Sequence, residues 1–199
     1  MITIAVNQRV EIYPKLNERR DCLDQRWADF LFLAGFNQLS LPNDFKMSKR
    51  LINNIEIKGI LLTGGGDLAD YGGESPERDK VEIMLLEHAI NRRIPLIGVC
   101  RGMQVIQHYF GVSLQPVSGH VATKQTIEIN GNMEKVNSYH NLGTETSIKS
   151  LEVWARSSDG VVKALRHRVS PLIGIMWHPE RLLPFRDEDI KLFQNFYER

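Results

Sequence analysis

The sequence predicts an α/β fold: an open, mostly parallel sheet flanked by helices, with a small antiparallel β extension. Three observations carry this. Short apolar runs alternate with amphipathic segments through the first half of the chain, the pattern of β–α units that build a parallel sheet with helices on both faces. Two of those runs end in glycine-containing loops, as strands do at the ligand-facing edge of an open α/β sheet. From about residue 112 the pattern changes to strands joined by tight turns, which signals antiparallel pairing. The 199 residues, 42% hydrophobic and 25% charged, suffice to bury a core without disulfides or metals and argue against disorder.

Ile2–Val6 reads as the first strand. Residues 17–35 carry Leu23, Trp27, Phe30, Leu31 and Ala34 at helical spacing, with Gly35 as the stop. Within that segment the charge-dense run 18–27 reads as a solvated helical face. Residues 58–62 form a short apolar run entering Thr63-Gly64-Gly65-Gly66-Asp67, a buried strand that opens into a glycine loop. Ser75-Pro76-Glu77 marks a helix start: a capping hydroxyl, proline at the first helical position and an acid at the positive end of the dipole. Val81, Met84, Leu85, His88 and Ala89 then face inward, and residues 91–93 close the helix. Residues 95–99 form another strand and 101–110 another helix, stopped by Gly111.

In the second half, segments 124–129 and 133–136 flank Asn130-Gly131, a hairpin signal because both residues tolerate positive φ. Strands continue at 151–156, 161–165 and 172–176, with Asp159-Gly160 as a further turn. Residues 187–197 close with an amphipathic helix containing Ile190, Phe193 and Phe196. The pattern reads as one domain over residues 1–199, its β extension spanning 112–165.

A formal net charge of +1 gives no general field for nucleic acid or a membrane surface. No apolar run approaches the ~20 residues that span a bilayer. The amino end lacks a basic leader, so no secretion signal is expected, and two cysteines suit a reduced, cytoplasmic setting.

The most informative segment is Ile97-Gly98-Val99-Cys100-Arg101-Gly102. A nucleophile candidate stands between a strand and a helix with glycine two residues to either side, the context of a nucleophile elbow. The turn forces its central residue into a strained conformation that lifts the side chain above the sheet, and the helix dipole there favours thiolate over thiol. Cys22 has no glycine flanks and lies in the charged segment, which argues against a catalytic role.

A cysteine nucleophile needs a base, and the base needs an orienting partner. Trp177-His178-Pro179-Glu180 supplies both: in extended chain, residues two apart share a side, so the Glu180 carboxylate can meet the His178 ring. His88 and His108 fall in helices as packing or surface residues. His167 sits in a basic, solvated turn, while His120 and His140 are placed to line a cleft. Two cysteines and no histidine pair at a ligand spacing give no metal site. The glycine loop is neither a P-loop nor Gly-x-Gly-x-x-Gly, and no cofactor is expected. Beside a cysteine nucleophile its backbone N–H groups suggest an oxyanion hole.

Taken together, Leu62–Asp67, Gly98–Gln104, Val136–His140 and Gly174–Glu180 resemble, in order, four motifs of the class I glutamine amidotransferases, with Thr63 where proline or serine is commoner. The chain is most similar to their free-standing γ-glutamyl hydrolase branch (peptidase family C26). The resemblance implies a flavodoxin-like amidotransferase fold and a small-molecule γ-glutamyl amide substrate. Cys100, His178 and Glu180 would be the catalytic triad acting through a glutamyl thioester, with the N–H groups of Gly65 and Arg101 as oxyanion hole. Gly66, Gln104, Ser138 and Tyr139 match positions that hold the glutamyl group.

The charged run also resembles a segment in amidotransferase-like proteins of bacterial surface-polysaccharide gene clusters, a group that includes hydrolysis of γ-glutamyl-CDP-amidate for capsule modification. That implies Arg19, Arg20 or Arg101 at a diphosphate, which guanidinium geometry suits. The family offers two classes of activity, a stand-alone hydrolase and a glutaminase subunit feeding ammonia to a synthase. No synthase domain fits in 199 residues, so the second would need a partner, whereas the first needs none and leaves a homodimer open.

Overall fold

The structure, a computed structural model, describes residues 1–198. The first part of the chain holds strands β1 (Ile2–Val6), β2 (Arg9–Tyr13) and β3 (Glu18–Cys22), helix α1 (Arg26–Leu33), strand β4 (Phe36–Ser40), helix α2 (Phe45–Asn54) and strand β5 (Gly59–Leu62). Helix α3 (Pro76–Arg92), strand β6 (Leu96–Val99) and helix α4 (Arg101–Tyr109) follow. Next come β7 (Gln115–Pro116), β8 (Val121–Ile129), β9 (Asn132–Tyr139), β10 (Leu142–Gly143), β11 (Leu151–Ser157), β12 (Val162–His167) and β13 (Leu172–Ile175), before helix α5 (Asp187–Tyr197).

Nine strands form one sheet in the order β4-β1-β5-β6-β13-β12-β11-β8-β9. The first five run parallel, and every pairing from β13 to β9 is antiparallel. The antiparallel extension therefore continues the main sheet. Successive strand residues point to opposite faces, and each face builds its own core. Ala5, Ile60, Leu62 and Leu96 pack under α2, α3 and α4, while Ile4, Val6, Leu61 and Ile97 pack under α1 and α5. At the Asn130-Gly131 turn φ is 49° and 85°, as the hairpin requires.

Three local expectations are corrected. Residues 18–22 are not the start of a helix: they form β3, paired antiparallel with β2, and the helix begins only at Arg26. Both strands of this hairpin are largely exposed, so solvated charges alternate along them with no buried helical stripe. Ser75 does not cap α3 with its hydroxyl; its carbonyl accepts from Arg78 N at 3.0 Å, while Pro76 and the acidic Glu77 stand in the first turn as expected. His167 is not a free turn residue, since it ends β12, stacks on Phe110 at 4.7 Å and accepts from Ser170 N at 2.8 Å. Strand β4 and helix α2 have no counterpart among the expected elements.

Candidate active site

Neighbouring parallel strands β6 and β13 bring two loops to one level. Val99 registers with Ile175, and Cys100 N–H extends that ladder by donating to Ile175 O at 2.7 Å. Cys100 then turns into α4 with φ 52° and ψ −103°, a strained left-handed conformation for a non-glycine residue. The flanking glycines are steric necessities. A Cβ on Gly98 would collide with the backbone of Gly102, and one on Gly102 with the carbonyl of Leu62. The elbow is thus packed against both β6 and β5. The Cys100 side chain is buried, its sulfur 3.9 Å from the Tyr139 carbonyl.

Three residues beyond β13, the His178 ring is fixed by its Nδ1 to Glu180 Oε1 at 2.8 Å, both side chains being buried. Gly64 locates the ring against the elbow: a Cβ there would lie 2.5 Å from His178 Cε1 and 3.4 Å from Cys100 Cβ. Burial pushes the His178 imidazole toward its neutral form. The Cys100 sulfur, through its charge and a hydrogen bond, and the Glu180 carboxylate outweigh that and raise the pKa to about 9.

The glycine loop leaves β5 with positive φ at Gly65 (92°) and Gly66 (72°). Its carbonyls are gathered by one guanidinium: Arg78 donates to Thr63 O at 2.7 Å, Gly64 O at 3.2 Å and Gly65 O at 2.6 Å. Thr63 is held from the other side, its N–H donating to Asn7 Oδ1 at 2.6 Å. Asn7, Arg78 and Arg101 all converge on the buried carboxylate of Glu82. A cleft runs from Thr63 and Gly64 to Glu180 and Arg181, with Arg9 and Asp24 on its rim.

A family model for glutamine amidotransferase class-I matches residues 28–199. The chain belongs to the class-I glutamine amidotransferases. It is 33% identical over 187 residues to the γ-glutamyl-CDP-amidate hydrolase of Campylobacter jejuni, covering 89% of this chain and 90% of that protein. It is 27% identical over 198 residues to a γ-glutamyl-γ-aminobutyrate hydrolase of Escherichia coli O157:H7, covering 79% and 78%. In fold it is similar to a glutamine amidotransferase from Thermotoga maritima, with a TM-score of 0.71, 17% identity and coverage of 99% of this chain and 84% of the other.

Arg101 begins α4, so its N–H is one of the helix donors without an intrahelical partner. Its guanidinium is buried and bound by Glu82 and Asp79, which removes it as a diphosphate ligand. Gln104 is buried and donates to Leu142 O at 3.0 Å. Ser138 turns away from the elbow, donating to His120 O at 2.7 Å, while the Tyr139 ring lies edge-on to His178 at 5.8 Å. Arg19 is engaged by Glu77 and the Glu74 carbonyl, and Arg20 by Glu18 and the Tyr13 ring. His120 and His140 do not line an open cleft: both are buried, stacked at 4.9 Å, because they surround the Lys163 ammonium.

Sequence reasoning missed Asn7, Arg9, Arg78, Glu82, Asn137 and Lys163. The signal for Arg78 and Glu82 is their i,i+4 spacing on the face of α3 that also carries Val81 and Leu85. For Lys163 it is a lone charge inside an apolar strand. Arg9 overlies Gly65, its Cδ 3.2 Å from where a Cβ would stand. No helix among the described residues is long and apolar enough to cross a membrane.

Proposed function

We propose that the chain is a stand-alone cysteine hydrolase of one cytoplasmic domain that cleaves the γ-glutamyl amide bond of a substituted glutamine. What carries the reading is a buried cysteine at positive φ beside an imidazole tied to Glu180 at 2.8 Å. Cys100 Sγ attacks the γ-carbonyl, and the N–H groups of Gly65 and Arg101 receive the oxyanion. His178 gives its proton to the departing nitrogen as the C–N bond breaks, leaving a glutamyl thioester on Cys100. Water, losing a proton to His178, adds to that thioester, and its collapse releases glutamate and the sulfur. Glu180 keeps the ring oriented throughout.

For the leaving group we favour a nucleoside diphosphoramidate, the product of γ-glutamyl-CDP-amidate hydrolysis in capsule biosynthesis. The C. jejuni relative, alike over nine-tenths of both chains, supports this. Arg9, above the glycine loop, joins Arg19 and Arg20 on the same hairpin as candidates to meet the diphosphate.

The test is glutamate release by the purified protein from γ-glutamyl-CDP-amidate, γ-glutamyl-γ-aminobutyrate and glutamine. We expect kcat/KM for the nucleotide amidate to exceed that for glutamine about 100-fold, and Cys100→Ala to fold normally and release no glutamate. Preference for γ-glutamyl-γ-aminobutyrate would keep the hydrolase and overturn the nucleotide assignment. Activity on glutamine alone, appearing only with a synthase partner, would make the chain a glutaminase subunit. Wild-type turnover by Cys100→Ala would overturn the nucleophile.

A further inference from the structure

Behind the strand that faces the Cys100 sulfur lies a positive charge that the chemistry above does not use. Lys163 on β12 is 1% exposed. Its Nζ sits 2.8 Å from His120 Nδ1, 2.6 Å from His140 Nε2 and 3.1 Å from Ser138 Oγ. Each is fixed as an acceptor by its own second bond. His120 uses Nε2 to meet Asp159 at 2.9 Å, His140 uses Nδ1 to meet the Leu142 carbonyl at 2.9 Å, and Ser138 donates to His120 O. Both imidazole tautomers are therefore set to receive hydrogens from the ammonium. Burial holds His140 down to about 3, so it adds no charge of its own.

A buried ammonium carries a desolvation cost that hydrogen bonds alone offset only in part. The remaining compensation must come from anions nearby. Asp159 reaches it only through His120 and is itself half-exposed. The other anionic candidate is the Cys100 sulfur. Ser138, which bonds Lys163, precedes Tyr139, whose carbonyl is 3.9 Å from that sulfur. From the opposite side the Lys163 carbonyl accepts from Met176 N at 2.8 Å, two residues before His178.

We propose that Lys163 is a positioning residue for Cys100, a buried cation placed so that its charge favours the ionised sulfur. Its own pKa, lowered to about 8 by burial and supported by Asp159 and Cys100, leaves it charged at neutral pH. The titratable and charged groups around the pair are His178 and Glu180 beyond β13, with Arg181 beside Glu180, His120 just before β8, Tyr139 at the end of β9, His140 after it and Asp159 after β11. The inference rests on the assignment of Cys100 as nucleophile, but its test reads the sulfur directly.

The experiment is the pH dependence of Cys100 carbamidomethylation by iodoacetamide, followed on the Cys100 peptide by mass so that Cys22 is counted apart. Lys163→Met removes charge and donors; Lys163→Gln removes the charge and keeps two donor hydrogens. We expect both to move the midpoint of the profile upward by about one pH unit, a roughly tenfold slower reaction below it. An unmoved midpoint in both variants overturns the proposal. So does a wild-type midpoint in Lys163→Gln alone, which would make the lysine a tie between strands.

Coupling is reciprocal, so a second measurement needs no change at Lys163. Titration of its ε-carbon by NMR should shift downward in Cys100→Ala relative to wild type, and an unchanged titration overturns the proposal. A moved midpoint in a protein that hydrolyses no γ-glutamyl amide would refute the proposed activity and leave this inference standing. Full activity with an unmoved midpoint would do the reverse.

Discussion

Asn137 and His178 hold each other through two hydrogen bonds. Asn137 Nδ2 donates to the His178 carbonyl at 2.8 Å, and the His178 backbone N–H donates to Asn137 Oδ1 at 2.7 Å. The pairing is notable for where the residues come from: Asn137 lies on β9 at the sheet's edge, four places from β13 in strand order. The antiparallel strands curl back over the carboxyl edge of the parallel half, and this amide fastens them there. Asn137→Ala leaves two buried backbone groups unpaired, at a cost of about 2–4 kcal/mol and a Tm fall of roughly 4–16 °C. We expect activity measured well below the new Tm to fall as well, since the proposed base loses its anchor. A thermal melt unchanged from wild type would show that water satisfies both groups.

Gly64 sets the space between the glycine loop and the imidazole. An added Cβ meets His178 Cε1 at 2.5 Å, and the ring can yield only by leaving Glu180 or the elbow. Gly64→Ala should therefore lower kcat about 100-fold, in keeping with a displaced base, while the global fold is kept. Iodoacetamide labelling of Cys100 reports whether the sulfur is still reachable. Wild-type kcat in this variant would place the working position of the ring elsewhere.

Much of this site is legible in the sequence because its chemistry is locally encoded. The two glycines around Cys100 announce the elbow, and Asp187–Tyr197 carries a complete helical stripe. Glu180 does reach the His178 ring, but across a 3-10 turn over Pro179–Arg181 and not along the extended chain expected there, because Pro179 starts a turn that carries the carboxylate back to the ring. What escapes is encoded by tertiary placement. Glu18–Cys22 has no inward face, so its alternating charges carry no burial signal and leave helix and strand equally open. Strand β4 is an edge with only Phe36 buried. Arg78 and Glu82 have the spacing of an ordinary solvated helix pair, and only their sharing a face with Val81 and Leu85 marks them as inward. Asn137 gains its partner because the β extension folds back, which no local pattern records, and the lone charge of Lys163 in an apolar strand signals burial but not the partners that surround it.

Arg78 exerts its effect at a distance from the reacting atoms. By gathering the carbonyls of Thr63, Gly64 and Gly65 it fixes the loop whose Gly65 N–H is the proposed oxyanion donor. Lysine keeps the buried charge beside Glu82 but lacks the planar fork that reaches three carbonyls at once. Arg78→Lys should fold and bind substrate with a KM close to wild type, yet lose about tenfold or more in kcat, because the N–H groups matter most in the transition state. Arg78→Met breaks a buried ion pair and should cost about 3–5 kcal/mol. Steady-state kinetics with a denaturation curve separate the two effects, and an unchanged kcat in Arg78→Lys would release the loop from its dependence on the guanidinium.

The sign of the His178 shift fixes a pH dependence. Its folded value, raised to about 9, lies above the 6.5 of an unperturbed imidazole. The native state therefore holds this proton more tightly than the unfolded chain does. The stability it contributes is fully present below about pH 6.5 and is lost as pH rises through about 9. Burial opposes the shift, so the shift depends on Cys100 and Glu180 as partners. Cys100→Ala removes the larger of the two influences and should move the titration of the His178 ring proton down, as followed by NMR. The stability advantage of wild type over this variant, by denaturant unfolding, should then shrink between about pH 6.5 and 9. In the proposed mechanism the imidazolium protonates the departing nitrogen, so kcat should fall about tenfold per unit above pH ~9. A wild-type ring titrating near its ordinary value would break the link between the sulfur and the base on which that mechanism depends.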